Sequence, residues 1–488
     1  MSEDNQSQVT NEQQRSAARP LKVSPEVAKA IAKAFGKRKA SNSASEVLGE
    51  QKKNAPFSQP TAPASFGAQG LPPQVTNAPI AALNGQFVPG MSGNFAPSPA
   101  SVLMGKQSLK VAFAGGGTGG HLYPALAVAE VLKQNGIQTL FFDSYRGVGR
   151  EIVGRLGYNL KNIHAQGLSG NIFAKLLSVC KTGLGFLESL YHLLIFKPSI
   201  VVASGGYVCA PVALAAACLD IPVLLMEQNA FLGKSAKFIS YFAKKVCLSL
   251  PGNYGPTVSA KAVLTGNPVR ASILLKGRAE ARQALQIPEG RQCVVVVGGS
   301  QGASSLNKAV LAALPSLLDR ELTLIHLTGQ KHIEEVSARS GDLVTGHNID
   351  YRPLAYTDDM ASLYAAADLI VCRSGATTLA EITARGLPSI LVPYPYAAEN
   401  HQEANARILE ANGAAQVILD KQVEEELTAC LISVLEDKEK LASMASSSVG
   451  LGRPRATEAV IAQILGIVYQ DRTKAFTKKQ DAGSALRG

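Results

Sequence analysis

The sequence predicts an α/β protein of two consecutive domains, each built on a doubly wound parallel sheet, with a ligand cleft between them. Short apolar runs that end in Gly or Ser alternate with helical stretches, which is typical of parallel βαβ units. The series restarts near LTGNPVRASIL, residues 264–274, and a new glycine-rich loop follows. The apolar runs are LKVAFAG, SIVVASGG, PVLLMEQ, KVCLSL, CVVVVGGS, LTLIHLTG, DLIVCRSG and PSILVPYP.

The chain divides into five segments on this basis. Residues 109–270 and 271–450 are predicted to form the two domains, residues 451–470 a C-terminal helix and residues 471–488 a polar tail. Residues 1–108 are a low-complexity extension rich in Gln, Asn, Ser, Pro and Ala. Such a segment buries too little apolar surface to offset the entropy of ordering, so it is predicted to be disordered. Within it, residues 24–40 have the pattern of a basic helix that is either transient or touches a membrane or a partner.

Composition excludes several classes of protein. The seven cysteines form no C-x-x-C pair, so we expect a reducing cytosol and neither a disulfide framework nor a zinc site. The net charge is +11, but residues 1–105 carry ten Lys/Arg against six Asp/Glu, and residues 470–488 carry five against two. Because more than half of the excess lies in the two ends, no nucleic-acid surface is expected.

Neither a membrane span nor a signal peptide is predicted. The apolar run APVALAAACLDIPVLLMEQN is interrupted by Asp220 and Pro222, and it falls short of the ~20 residues that a span requires. The N-terminus has no basic region followed by an apolar run. A cytoplasmic location is therefore expected, with peripheral membrane contact left open.

Four loops rich in glycine, serine and threonine follow predicted strands. Glycines let the backbone approach an anion closely, and a helix N-terminus offers unpaired N–H groups and a favourable dipole. Pro124 suits the first turn of the helix after the first loop. One such loop is often an ordinary strand-to-helix turn, whereas four of them, two per domain, predict diphosphate recognition from both sides of a cleft without a metal. The loops are GGGTGGHLYP (115–124), ASGGYVCAP (203–211), GGSQGASSLN (298–307) and VCRSGATTLAEI (371–382).

Acidic residues near these loops leave one alternative open. A nicotinamide-binding fold needs an acid at the end of its second strand, about 20 residues beyond the first loop, and TLFFDSYRG contains Asp143. The adjacent acids Asp358 and Asp359 of TDDMAS are interpreted as first-turn acids of a helix and not as a metal clamp.

Seven segments, in one order and spacing, closely resemble the MurG family of N-acetylglucosaminyltransferases over about residues 109–470. The resemblance implies a GT-B architecture of two Rossmann-like domains, the first for the acceptor and the membrane, the second for the donor UDP-GlcNAc. It implies an inverting transfer of GlcNAc to the 4-hydroxyl of MurNAc in undecaprenyl-diphosphate-MurNAc-pentapeptide, with no metal and no cofactor. The segments are GGGTGGHLYPALAVAE, GGYVCAPVALAA, LLMEQNAFLG, GNPVR, GGSQGASSLN, YTDDMASLYAAADLIVCRSGATTLAEI and HQEANA.

The resemblance also implies partners and a location. The partners are UDP-GlcNAc, the polyprenyl-diphosphate-linked MurNAc-pentapeptide, an anionic membrane surface and cell-wall synthesis or division proteins; nucleic acid is not among them. The implied location is peripheral, at the cytoplasmic face of the plasma membrane.

Individual residues receive roles from the same resemblance. His121 matches a loop histidine proposed as general base for the acceptor hydroxyl, with bracing of the loop as the alternative; an imidazole of pKa near ~6.5 can accept a proton at neutral pH. Arg270 would lie near the diphosphate, and Glu381 would accept both ribose hydroxyls; the alternatives are a surface arginine and a solvated helix acid. The implied donor-binding residues are Thr118, Gly119, Gly120, Asn229, Arg270, Ser300, Thr357, Ala376, Thr377, Thr378, Leu379, Ala380, Glu381 and Gln402.

Two positions depart from the family pattern. His401 replaces a residue that is commonly a second Gln beside the sugar, and Thr357 fills a position often held by Ile at the uracil pocket.

The acceptor side rests on weaker signals. Gly205, Gly206 and Tyr207 are implied to meet the acceptor diphosphate. Residues 169–198 are apolar but punctuated by lysines, so they are predicted to bind anionic bilayers by partial insertion and charge, with a core helix as the alternative. The predicted membrane patch consists of Ile172, Phe173, Lys175, Leu176, Leu177, Lys181 and Phe186.

Three other functions remain open beside the transfer of GlcNAc. Another UDP-sugar enzyme of the same fold, such as an epimerase, would share Glu381 and the third loop. A nicotinamide oxidoreductase would leave the loops of the second domain without a purpose. A non-catalytic UDP-sugar-binding scaffold would bind the donor without turnover.

Overall fold

The computed structural model describes residues 109–485, apart from Arg146, Val148, residues 168–170 and Ser300. The extension predicted to be disordered, residues 1–108, and the basic helix predicted within it therefore lie outside the described residues.

Seven strands form the sheet of the N-terminal half: β1 (Lys110–Ala114), β2 (Gln138–Ser144), β3 (Asn159–Ile163), β4 (Ile200–Ala203), β5 (Val223–Glu227), β6 (Lys245–Leu248) and β7 (Ala262–Leu264). They are all parallel, in the order β3-β2-β1-β4-β5-β6-β7. Every residue of β4 and β5 is buried, because a parallel sheet is covered on both faces.

Six parallel strands form the sheet of the C-terminal half: β8 (Gln292–Val297), β9 (Leu322–Leu327), β10 (Asp350–Leu354), β11 (Leu369–Cys372), β12 (Ser389–Leu391) and β13 (Ala415–Val417). Their order is β10-β9-β8-β11-β12-β13. Each face of this sheet carries a core, because Val294 and Val296 of β8 pack in one cluster and Cys293 and Val295 in the other. The two sheets fall within the segments predicted as the two domains.

Helices cover both sheets. In the N-terminal half they are α1 (Gly119–Gln134), α2 (Gly149–Arg155), α3 (Ile172–Phe196), α4 (Cys209–Cys218), α5 (Lys234–Ser240) and α6 (Pro256–Ser259). Further along the chain they are α7 (Ala271–Leu275), α8 (Arg278–Ala284), α9 (Ser304–Ala313), α10 (Ile333–Val344), α11 (Met360–Ala366), α12 (Ala376–Ala384), α13 (His401–Ala411), α14 (Val423–Glu436), α15 (Lys438–Leu451) and α16 (Ala456–Ala485).

The last helix ties the two halves together. α16 packs against α1, and Arg453 and Ala456 lie against Gly266 in the segment between the sheets. The segment predicted as a polar tail continues this helix as far as Ala485.

Pro124 lies beyond the first turn of α1, inside the helix and not at its start as predicted. A proline has no N–H to donate to the carbonyl four residues earlier. The carbonyl of Gly120 is therefore left without a helical donor.

Among the described residues, α3 is the helix that bears on the expectation that no segment spans a membrane. Its part Leu176–Phe196 is long and apolar enough to do so by length and composition alone. The helix packs against α4, and its buried positions include Ser178, Gly185, Ser189 and Leu193. One side of α3 is therefore buried against the N-terminal half, and most of its other side chains are exposed.

Candidate active site

The four predicted loops meet in pairs at the two points where the strand order reverses. β1 neighbours β4, so the loops at 115–120 and 204–208 are adjacent. β8 neighbours β11, so residues 298–299 and 301–303 are adjacent to the loop at 373–375. Ligands of doubly wound sheets bind at these switch points.

The first loop presents backbone amides. Gly117 has φ +83°, and Thr118, in extended conformation, precedes α1 without a side-chain cap. Thr118 and Gly120 are exposed. The helical hydrogen bonds of α1 begin at the amides of His121 and Leu122, which donate to the Thr118 carbonyl. The amides of Gly119 and Gly120 stand before them and are of the kind that binds an anion, so the anion site stays a prediction at this position.

Asp143 braces this loop from within. Its carboxylate accepts from the amides of Ser144 at 2.7 Å and Gly149 at 2.8 Å, and a Cβ on Gly116 would overlap it. Burial raises its pKa, while the amides of Ser144, Gly149 and Gly117 oppose the rise. Because the side chain is buried, it is not free to bind a nicotinamide ribose.

His121 lies between the two loops of the N-terminal half. Its Nδ1 is 3.2 Å from Oε1 of Gln228. Burial lowers its pKa, as does the charge of His401 on the C-terminal half, whereas the contacts with Gln228 and the Ser204 carbonyl raise it. The ring is therefore neutral at pH 7 and able to accept a proton.

The second loop packs around that ring. Gly205 and Gly206 have φ +111° and +84°, and a Cβ on Gly205 would overlap the imidazole of His121. The hydroxyl of Tyr207 lies 3.1 Å from Oγ of Ser144. These three residues, predicted to meet the acceptor diphosphate, thus line the first loop and His121.

Asn229 joins the two halves. Its Nδ2 donates to Glu227 at 3.2 Å, and its Oδ1 accepts from Asn405 of α13 at 3.2 Å. Asn405 also accepts from the amide of Ala230 at 2.9 Å.

Glu381 and Arg270 form a half-buried pair, with Nη2 of Arg270 3.1 Å from Oε1 of Glu381. Only 7% of the Glu381 side chain is exposed, so the alternative of a solvated helix acid is wrong. Burial raises its pKa, against Arg270 and the hydroxyl of Tyr364. The guanidinium stacks on Tyr123, 4.6 Å from the ring centre, which places the pair two residues from His121 along α1.

The start of α12 crosses the cleft. Oγ1 of Thr377 donates to the carbonyl of Gly120 at 2.9 Å, and Gly375 precedes the helix without a side-chain cap. Thr378 is half-buried. Ala376, Leu379 and Ala380 instead line a cavity of about 200 Å³ between the halves, together with Leu264 and Asn267.

The remaining donor-side residues are dispersed around the second sheet. Oγ1 of Thr357 accepts from the amide of Asp359 at 3.0 Å. Oε1 of Gln402 accepts from the amide of Tyr394 at 3.0 Å, and Nδ1 of His401 is 2.6 Å from the Ala398 carbonyl. Ser300 lies outside the described residues. Among the rest, no group of three or more His, Cys, Asp or Glu could hold a metal ion.

The residues predicted to form the membrane patch are exposed in part and packed on the core in part. Phe173, Leu176 and Leu177 are exposed, Phe173 to 79%, and Lys181 donates to Gln166 at 3.2 Å. The prediction that Phe186 belongs to an exposed patch is wrong, because this side chain packs against the core of the N-terminal half. The side chains of Ile172 and Lys175 are outside the described set. Further exposed apolar residues continue along α3: Val179, Leu184, Leu187, Tyr191, Leu194 and Ile195.

Sequence reasoning missed four residues of this site, namely Gln228, Asn405, Tyr364 and Tyr123. All four stand inside the segments that carry the family resemblance, and that position is the one signal that could have indicated them.

Known proteins match both halves. The glycosyltransferase family 28 N-terminal domain matches residues 111–248, and the C-terminal domain of the same family matches residues 293–460. A UDP-N-acetylglucosamine–N-acetylmuramyl-(pentapeptide) pyrophosphoryl-undecaprenol N-acetylglucosamine transferase from Moorella thermoacetica is 42% identical over 371 residues, 74% of this chain and 99% of the relative. A transferase of the same name from Listeria welshimeri is 41% identical over 368 residues, 74% of this chain and all of the relative.

A solved structure agrees. The crystal structure of MurG from Acinetobacter baumannii superimposes with a TM-score of 0.60 at 29% identity, covering 74% of this chain and 99% of that one. The chain therefore belongs to glycosyltransferase family 28 and, within it, to the MurG family of N-acetylglucosaminyltransferases.

Proposed function

We propose that the protein transfers GlcNAc from UDP-GlcNAc to the 4-hydroxyl of MurNAc on undecaprenyl-diphosphate-MurNAc-pentapeptide, with inversion and without a metal. One observation carries the proposal: the relatives that bear this activity in their name match at about 40% identity over nearly their whole length. The cleft is consistent with it, because His121 and the Arg270–Glu381 pair are linked through α1.

The chemistry needs a base and a stabilised leaving group. Neutral His121 takes the proton of the acceptor hydroxyl as its oxygen attacks C1 of GlcNAc, and the bond from C1 to the UDP oxygen breaks. The negative charge that develops on the diphosphate faces the amides at the starts of α1 and α12 and the guanidinium of Arg270.

A transfer assay tests this directly. The purified protein is incubated with radiolabelled UDP-GlcNAc and a short-chain lipid-diphosphate MurNAc-pentapeptide in the presence of EDTA, beside His121→Ala. We expect transfer by the parent protein and a loss of ~100-fold or more in the variant at unchanged donor affinity. Full activity of the variant would remove His121 as the base. Tight UDP-GlcNAc binding without transfer would contradict the function and favour an epimerase or a non-catalytic binder.

We also propose that the protein acts peripherally at the cytoplasmic face of the plasma membrane, through the exposed apolar face of α3. The supporting observation is a row of large exposed side chains that runs from Phe173 to Ile195. Lys161 and Lys197, next to this helix, are exposed and suit anionic headgroups. Binding of cell-wall synthesis or division proteins is part of the same proposal and rests on family membership.

Sedimentation with anionic and neutral vesicles tests the membrane contact. Leu187→Glu combined with Leu194→Glu places two charges on side chains that are 60% and 55% exposed, so vesicle binding should fall while folding is kept. The matched control is Val449→Glu with Tyr469→Glu, at sites 50% and 49% exposed on α15 and α16. Equal binding by both double variants would locate the membrane contact elsewhere.

A further inference from the structure

Gln228 is a buried polar residue that follows β5 at the floor of the cleft. It is 2% exposed, and a buried amide of this kind must have its hydrogen bonds satisfied within the protein. Its two side-chain atoms bond to two different loops: Nε2 to the carbonyl of Ser204 at 2.7 Å, and Oε1 to Nδ1 of His121 at 3.2 Å.

The orientation of this amide follows from its partners. A backbone carbonyl only accepts, so the atom of Gln228 that faces Ser204 must be the NH₂ group. The amide oxygen then faces Nδ1 of His121, and an oxygen cannot donate. Nδ1 must carry the ring proton for this contact to be a hydrogen bond, which leaves Nε2 with the lone pair in the neutral ring.

We infer that Gln228 is a positioning residue, which holds His121 in the tautomer whose Nε2 accepts the proton of the acceptor hydroxyl. The inference rests on the proposed function for the identity of that hydroxyl. It adds a residue that touches neither substrate but selects which ring nitrogen is the base.

A neutral partner suits this role better than a carboxylate. A carboxylate at Nδ1 would stabilise the imidazolium and raise the pKa of His121, whereas an amide orients the ring with less effect on its charge. The other charged groups near His121 form hydrogen bonds or ion pairs with other partners. Asp143 and Glu227 accept backbone amides, and Arg270 pairs with Glu381. His401, on the opposite half, lowers the pKa of His121.

Nitrogen NMR of protein labelled with ¹⁵N in the histidine rings reads the tautomer without any need for activity. The His121 signals are assigned as those that vanish in His121→Ala. We expect a protonated Nδ1 and an unprotonated Nε2 at pH 8. A ring protonated on Nε2 would overturn the inference, whatever the transfer assay shows. Absence of transfer by the parent protein would overturn the proposed function instead and leave the tautomer measured.

Two variants supply the kinetic readout. Gln228→Met keeps the volume and removes the acceptor, so kcat should fall about 10- to 100-fold at unchanged affinity for UDP-GlcNAc. Gln228→Glu should move the acid limb of the kcat–pH profile to higher pH, an effect that a merely structural glutamine would not produce. Thermal midpoints check that both variants fold. The inference is wrong if both keep the parent kcat and acid limb, or if His121→Ala is fully active.

Discussion

Gly205 brings the backbone close to the imidazole of His121. Its φ of +111° and the position of its Cα leave no room for a side chain, since a Cβ there would lie 2.7 Å from Cε1 of His121 and 3.1 Å from Oε1 of Gln228. We expect Gly205→Ala to push the imidazole off Gln228 and to lower kcat about 100-fold, the order of a lost general base. A transfer assay at saturating donor measures it.

Gly136→Ala is the matched control for backbone strain. Gly136 also has a positive φ, +72°, but a Cβ there would meet nothing within 4 Å. The Gly136→Ala substitution should lower the free energy of unfolding by about 1–2 kcal/mol and leave kcat nearly unchanged. Similar losses of kcat in both variants would attribute the effect to strain and not to His121.

Glu227, beside Gln228, predicts a pH dependence of stability. Burial raises its pKa to about 7 from 4.5, against hydrogen bonds from Asn229. Between these two values the folded protein keeps a proton that the unfolded chain has released. Stability therefore falls as pH rises through this window, by about 3 kcal/mol, and stays level above it. The parent protein should lose thermal stability relative to Glu227→Gln as pH rises. The thermal midpoint of the parent minus that of the variant should therefore be smaller at pH 8 than at pH 5. A difference that does not change with pH would contradict the raised pKa.

The sequence indicated the residues with charged or titratable side chains in the cleft, and it missed the residues that position those side chains. His121, Arg270 and Glu381 stand in recognisable segments, and the structure brings them to one cleft. Gln228 and Asn405 could not be assigned, because their partners lie 107 and 176 residues away in the chain. A single amide acquires a role only when the fold brings that partner to it.

Among the elements, eight of the nine interior strands were predicted as apolar runs and the edge strands were not. The ninth, β2, lies in TLFFDSYRG, which was considered only as a second strand bearing Asp143. All eight apolar runs form strands. The four edge strands β3, β7, β10 and β13 are only partly buried, with patterns such as alternating exposed and half-buried residues in β3. An edge strand with one covered face has no continuous apolar run, so its sequence resembles a loop.

α11 carries Tyr364, whose hydroxyl bonds to Glu381, so the stability of this helix bears on the cleft. Asp359 caps this helix, accepting from the amide of Ser362 at 3.0 Å and from its hydroxyl at 2.6 Å. The prediction that Asp358 and Asp359 lie in the first turn is wrong, because both precede Met360, where α11 begins. We expect Asp359→Ala to cost about 1 kcal/mol of stability, or about 2–4 °C in thermal midpoint.

Asp358→Ala is its matched control, since it removes the same charge from the neighbouring position. Asp358 is exposed and accepts from the hydroxyl of Tyr356, so its loss should stay within about 0.5 kcal/mol. Equal midpoints for the two variants would show that charge, and not the cap, sets the stability of α11.

In the whole molecule, a carbonyl that a proline leaves without its helical donor accepts a hydrogen bond from the other half. Pro124 has no N–H, so the carbonyl of Gly120 lacks its helical donor, and Oγ1 of Thr377 donates to it across the cleft at 2.9 Å. The sequence placed Pro124 at the helix start and Thr377 at the donor. It could not reveal that both residues affect the hydrogen bonding of one atom, the carbonyl oxygen of Gly120.

A double-mutant cycle tests that dependence. Pro124→Ala restores a helical N–H to Gly120, and Thr377→Val removes the hydroxyl from the other side. Pro124→Ala should weaken closure of the two halves by about 1 kcal/mol, the net worth of one hydrogen bond. Thr377→Val should weaken it by at least as much, because its hydroxyl also accepts from Nδ2 of Asn267 at 3.4 Å. The radius of gyration from small-angle X-ray scattering should therefore rise in each single variant.

The double variant distinguishes a shared bond from two separate effects. If the restored N–H displaces the hydroxyl of Thr377 from the Gly120 carbonyl, both changes remove that contact, and the double variant should be no more open than Thr377→Val alone, whereas independent effects would add. Asn412→Ala serves as a control at the C-terminal end of α13, since its side chain donates to the Ile408 carbonyl of that helix, and should leave the dimensions unchanged. Additive opening in the double variant would mean that Pro124 shapes α1 without governing the bond from Thr377, and that closure rests on Asn405 and the stacking of Arg270 on Tyr123.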